Sequence, residues 1–189
     1  MDRRDAVKRV ALLMGGALTA STLSVMLEGC AHELRSGTGT TFTDDEKKMV
    51  ATMSDLIIPR TDTPGAVDAG VPEFIVMMMQ ECYPDKDQAT FHQGLAAFDK
   101  QCKTKYGGSF STLSPDKQQK AVSDLDTQVL GDKKAKVGDL VFYRKLKELT
   151  LLGYFTSEPG ATKALRYVQV PGHYDGDVPY HKGEKAWAT

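Results

Sequence analysis

Residues 43–59 read TDDEKKMVATMSDLIIP, and the reading of this stretch decides the fold class. Thr43, followed three residues later by Glu46, is a capping box: the hydroxyl and the carboxylate each serve a backbone amide left open at a helix start. Met49, Val50, Met53, Leu56 and Ile57 then recur at helical spacing and lay one apolar stripe along the segment. Ile58-Pro59 closes it, because the residue before a proline is pushed out of the α region. The result is a capped, one-sided helix with a hard stop.

The same grammar repeats down the chain. Residues 60–70 (RTDTPGAVDAG) form a turn-rich loop, and Pro72 at a first helical position starts a second helix through Phe74, Ile75, Met78 and Met79, ending before Pro84. A third is predicted from near Asp87, with Phe91, Leu95, Phe98, Cys102 and Tyr106 in register, and Gly107-Gly108 ends it. Ser114-Pro115 caps a fourth, which carries Ala121, Val122, Leu125 and Val129 before Gly131. A fifth runs from near Val137 through Leu140, Val141, Leu146 and Leu149 to Leu152, stopping at Gly153. No stretch alternates with period two and no internal repeat is present. The predicted fold is therefore all-α, a compact bundle of about five helices. After Gly153 a short helical turn leads into an irregular tail rich in Gly, Pro and aromatic residues. About thirty aromatic-rich residues without periodicity are predicted to pack on something.

The chain opens MDRRDAVKRVALLMGGALTASTLSVMLEGC. Arg3 and Arg4 sit in an R-R-x-x-x-K pattern that resembles a twin-arginine export signal. Residues 11–27 carry no charge but are too weakly apolar for a confident membrane span. Leu27-Glu28-Gly29-Cys30 resembles a lipobox, so Cys30 is a candidate lipidation site; ordinary cleavage near Ala31 is the alternative. Lipidation of Cys30 would supply several acyl chains, enough for stable anchoring. The expected organisation is a signal over 1–29, a flexible linker over 30–42 and one helical domain over 43–189. The expected location is the periplasm, reached by the twin-arginine route, with a lipid anchor at the membrane.

The whole chain has 24 basic and 25 acidic residues; residues 1–29 hold four and three of these, which leaves the remainder at a net charge of −2. A balance of this kind does not suggest a nucleic-acid binder. Besides Cys30 the cysteines are Cys82 and Cys102. In an exported protein two such residues are expected to pair, and the bridge would stabilise by about 3 kcal/mol in the chain-entropy view. Two buried free thiols are the other reading.

Catalytic and cofactor signatures are missing from the sequence. It contains no G-x-G-x-x-G, no C-x-x-C-H and no G-x-S-x-G, and Cys82 with Cys102 is too small a set for an ordinary iron–sulfur cluster. No catalytic, cofactor-binding or metal-binding residue is predicted in this chain. His173-Tyr174-Asp175-Gly176-Asp177-Val178-Pro179-Tyr180-His181 puts imidazoles and carboxylates at short spacing, which supports an alternative function: a stand-alone lipoprotein binding a small ligand or metal there. Asp-Gly and Val-Pro are equally ordinary turn-makers. His32 and His92 have no partners that suggest catalysis. Met77, Met78 and Met79 cannot all face one way along a helix, so at least one is available to a partner. Tyr154, Phe155, Tyr167, Tyr174, Tyr180 and Trp187 form a candidate partner interface, since such side chains bury much area and keep a polar handle. A tail folded back on its own bundle is the competing reading.

Two pairs of segments carry a family resemblance. The front pair is LIIPRTDTPGA (56–66) with GVPEFI (70–75); the back pair is LTLLGYFTSE (149–158) with Tyr167 and PGHYDGD (171–177). In this order they resemble the small subunit, subunit 3, of the gluconate 2-dehydrogenase family. The resemblance implies a non-catalytic partner of a large flavoprotein of the glucose–methanol–choline type, which binds FAD and oxidises a sugar, glycoside or polyol. It also implies a cytochrome c subunit in some complexes, so that haem c or an iron–sulfur cluster lies elsewhere in the assembly. It further implies that the signal-bearing small subunit escorts the flavoprotein across the membrane and stabilises it.

Overall fold

A computed structural model describes residues 41–131, 141–170, 172–173 and 176–188. Five α-helices follow one another: α1 Asp44–Ile57, α2 Val71–Glu81, α3 Asp85–Tyr106, α4 Pro115–Gly131 and α5 Val141–Thr156. A 3-10 turn, Phe110–Thr112, precedes α4, and a single π-helical turn, Gly160–Ala164, follows α5. No strand is present among the described residues, so the all-α reading holds. The expected start of the fifth helix near Val137 and Leu140 lies outside the described residues, as do Arg3, Arg4 and Cys30.

Local chemistry sets the helix ends. Thr43 Oγ1 accepts from the Glu46 amide at 3.3 Å, while Glu46 Oε2 accepts from the Thr43 amide at 2.9 Å, which completes the capping box. Ile58, ahead of Pro59, leaves the helical region at φ −129° and ψ 84°. Pro72 sits at the second position of α2, where its missing amide costs nothing. Gly107 ends α3 with φ +82°, a left-handed conformation that a side chain would resist.

Helix α5 is the hub, packing against all four other helices and the π turn. Phe142 on α5 stands against Phe91 and Phe98 of α3, with ring centroids 6.2 and 6.3 Å away. That approach requires Gly94, where an added Cβ would fall 2.4 Å from Phe142 Cδ1. Met53, Ile75, Leu95, Leu146 and Leu149 are fully buried, and each contributes about 1.5–3 kcal/mol by leaving water. The triple methionine divides as its spacing demands: Met79 is fully buried, Met78 is half-buried and Met77 is 51% exposed.

Polar groups inside the bundle are matched. Ser54 and Thr150 are buried and bond back to the carbonyls of Val50 and Leu146, at 2.8 and 2.7 Å. Tyr143 is buried; its hydroxyl donates to Asp126 at 2.9 Å, and burial together with that carboxylate pushes its ionisation well up. Asp99 accepts from Ser109 Oγ, the Phe110 amide and Lys103, fastening the 3-10 turn to α3. Among the described residues no buried side-chain nitrogen or oxygen lacks a partner.

The expected Cys82–Cys102 bridge is corrected. Both are free thiols, Cys82 exposed at the end of α2 and Cys102 buried near the far end of α3. A short link between α2 and α3 sets Cys82 beside the start of α3, whereas Cys102 lies about 26 Å further along that helix at 1.5 Å per residue. Pairing needs Cα atoms within about 7 Å. Burial first, and Asp99 second, push the Cys102 thiol up to about 11, which suits an inert core residue.

Candidate functional site

The two regions that carry the family resemblance meet in space. In the front one, the Gly65 amide donates to Asp68 Oδ2 at 2.9 Å, the Ala66 amide to the Ile58 carbonyl at 2.9 Å, and Arg60 Nε lies 3.4 Å from Asp68. The back region supplies Tyr154, whose hydroxyl donates to the Pro64 carbonyl at 2.7 Å. Just beyond it, Ser157 Oγ donates to the Tyr154 carbonyl at 2.6 Å and accepts from the Gly160 amide at 3.1 Å. A Cβ at Gly160 would sit 1.8 Å from the Tyr154 oxygen, so only glycine permits this turn. The loop 58–70, the end of α5 and the π turn are thus locked together.

That lock changes the expected aromatic set. Tyr154 is only 2% exposed and serves as an internal strut, so it leaves the list of accessible interface residues. Its ring meets Phe155 edge-on at 5.2 Å, and Phe155 itself is exposed. Tyr167, Tyr180 and Trp187 are exposed too, Tyr180 at 77%; Tyr174 lies outside the described residues. Leu152, with which the sequence reading closed the fifth helix's apolar series, faces outward, and so does Leu151. A stricter use of the 100° step would have found them, since 151, 152 and 155 fall opposite the buried 143, 146, 150 and 153.

Exposed apolar surface is unevenly distributed. Among the described residues the large apolar side chains in the open are Val67, Met77 and then nine from Leu151 onward, whereas α1, α3 and α4 contribute none. The tail is held without being covered. The Arg166 amide donates to the Ala186 carbonyl at 2.8 Å, and the Ala188 amide to the Arg166 carbonyl at 3.0 Å. The Arg166 guanidinium carbon stands 4.0 Å from the centre of the Trp187 ring. Tyr167, Val170 and Tyr180 nonetheless remain open to water.

A second surface feature is a groove of about 520 Å³ between α1 and α2, with Ala51, Pro72, Val76 and Met77 as its apolar part. Lys47 and Lys48 edge it on one helix, Glu73 and Glu81 on the other. The histidines are dispersed. His92 is buried, with Nδ1 2.7 Å from Glu46 Oε1 and its ring 4.4 Å from Phe42, which ties α3 to the start of α1. At Glu46 burial alone would raise the carboxyl; the hydrogen bonds from His92 and Thr43 outweigh it and hold the group below its ordinary range. His173 and His181 are exposed, and His181 shares a local turn with Glu184. Among the described residues no three His, Cys, Asp or Glu side chains stand close enough to hold a metal ion. Among the same residues no helix is long and apolar enough to cross a membrane.

Fold and surface define the class: a small all-helical domain with a fully paired interior and an apolar, aromatic end. The sequence profile of the gluconate 2-dehydrogenase subunit 3 family matches residues 44–172, and the chain belongs to that family. No curated protein and no solved structure matches it. The family's name makes its members part of a gluconate dehydrogenase complex, as a subunit distinct from others.

Proposed function

We propose that the chain is a non-catalytic accessory subunit that clamps a large FAD-dependent dehydrogenase of the glucose–methanol–choline type. The observation that carries this reading is the family match across the bundle, joined to an aromatic end that the bundle itself leaves uncovered. Such side chains are enriched at protein interfaces and depleted at ordinary solvent faces. In this reading FAD, and any haem c or iron–sulfur cluster, belongs to other subunits, and the substrate is a sugar, glycoside or gluconate. The Arg3-Arg4 signal exports the pair in the folded state, and lipidation of Cys30 holds the complex at the membrane.

The test is recovery from native membranes. A tagged chain is expected to bring down a flavin-containing protein and dye-linked dehydrogenase activity. Replacing Arg3 and Arg4 together by Lys is expected to strand both proteins in the cytoplasm. A tagged chain recovered with neither flavin nor activity contradicts the accessory role; a flavoprotein exported normally in the double-Lys variant removes the escort role alone.

A further inference from the structure

We propose that the Arg166–Trp187 clasp is a positioning device, holding the tail so that Tyr167, Val170 and Tyr180 meet the flavin-carrying subunit ready-ordered. The proposal rests on the accessory-subunit reading and adds which residues set the strength of the contact. Two backbone hydrogen bonds and one cation–ring stack join residues 166 and 186–188. Lys185 Nζ also donates to the Lys163 carbonyl, tying the last residues to the π turn. These bonds order a stretch whose aromatic and β-branched side chains stay in water, Val170 at 79% exposure.

An ordered but uncovered apolar stretch does little for the bundle, whose core closes without it. Its benefit falls at association, where a segment already held loses less freedom on binding. The charges indicate the occupant. Over residues 158–189 the sequence balances Lys163, Arg166, Lys182 and Lys185 against Glu158, Asp175, Asp177 and Glu184. An anionic lipid surface is met by an excess of basic residues, which this stretch lacks. Mixed charges around tyrosines suit a protein face. Membership in a family of third subunits makes that protein a different chain rather than a second copy.

Trp187 is the only tryptophan in the chain, so its fluorescence reports the clasp without a label. Wild type, Arg166→Ala, Arg166→Lys, Tyr180→Ala and Met77→Lys would be compared as full chains. The readouts are acrylamide quenching of Trp187 in the purified chain, the thermal midpoint, and FAD retained on the tagged complex during washing. Arg166→Ala is expected to open Trp187 to quencher and speed the loss of flavoprotein about tenfold, a change of about 1.4 kcal/mol. Its midpoint should stay within about 2 °C of wild type, as befits a surface change. Arg166→Lys should restore both properties in part. Tyr180→Ala should weaken retention with Trp187 quenching unchanged, and Met77→Lys should alter neither. Unchanged quenching in Arg166→Ala would show that no clasp forms. Unchanged retention would show that the clasp does not matter, and loss in Met77→Lys alone would move the interface to the α1–α2 groove. A wild-type chain that retains no flavoprotein at all overturns the accessory-subunit reading, and the proposal with it.

Discussion

The bundle and the tail use similar apolar residues and place them oppositely. From α1 to the first half of α5 the large side chains other than Val67 and Met77 turn inward: Phe91, Leu95, Phe142 and Leu146 belong to one buried core, and every described buried polar side-chain atom has a partner. From Leu151 onward, Tyr154 apart, large leucine, valine, tyrosine and tryptophan side chains stand in the open, although backbone bonds at Arg166 hold the tail in place. Folding alone accounts for the first region. The second keeps apolar area in water, at a cost of about 25 cal/mol per Å², and the proposed partner would cover it. Under the proposed accessory role, stability and association reside in different parts of the molecule and can be perturbed separately.

The largest expected effect falls in the bundle. Leu146→Ala empties a fully buried site on the hub helix and should cost about 2–5 kcal/mol in urea unfolding. Flavoprotein retained per folded molecule should not change; a parallel loss would mean the two regions are coupled.

Acid should act on the bundle as well. Glu46, Asp99 and Asp126 are all held below their ordinary values, burial opposing and hydrogen bonds prevailing. A carboxyl lowered in the folded state stabilises fully above its unfolded value and loses that contribution as pH falls through the folded value. Stability should thus decline below about pH 4.5, and Glu46→Gln, which keeps a capping amide but loses the carboxylate facing His92, should flatten that decline at a cost of about 1 kcal/mol at neutral pH. An identical pH profile for the variant would remove the Glu46–His92 link from the account.

Tyr154→Phe sharpens the boundary between the regions. It removes only the hydrogen bond to the Pro64 carbonyl and should cost about 1 kcal/mol in stability, with partner binding intact. Weakened binding would return Tyr154 to the interface. Tyr180→Ala is the mirror case. As a surface change it should shift stability by no more than about 0.5 kcal/mol, yet it should reduce retention of the flavoprotein.

Much of the bundle was legible because its signals are local. The capping box at Thr43, proline after Ile58, glycine at 107 and the stripe through Phe91 and Phe98 each act within a few residues, so spacing alone reveals them. What failed was what depends on distant packing. Glu46 reaches His92 across 46 residues, and nothing near either predicts the other. The Cys82–Cys102 bridge was expected from export, without following how far along α3 Cys102 falls from Cys82. Tyr154 was grouped with its aromatic neighbours, although its helical angle and the loop carbonyl of Pro64 send it inward. The tail was read as needing something to pack on, and its described residues from Arg166 to Trp187 remain exposed although Arg166 and Trp187 stack on each other.

The central claim is that the exposed aromatic end, and not the bundle, holds the dehydrogenase. Ending the chain after Arg166 and measuring FAD retained with the tagged protein, alongside its circular-dichroism melting curve, tests this most directly. The account predicts a cooperative helical melt close to that of the full chain and loss of the bound flavoprotein. A truncated chain that melts normally and still retains the flavoprotein at the full-length level would contradict it.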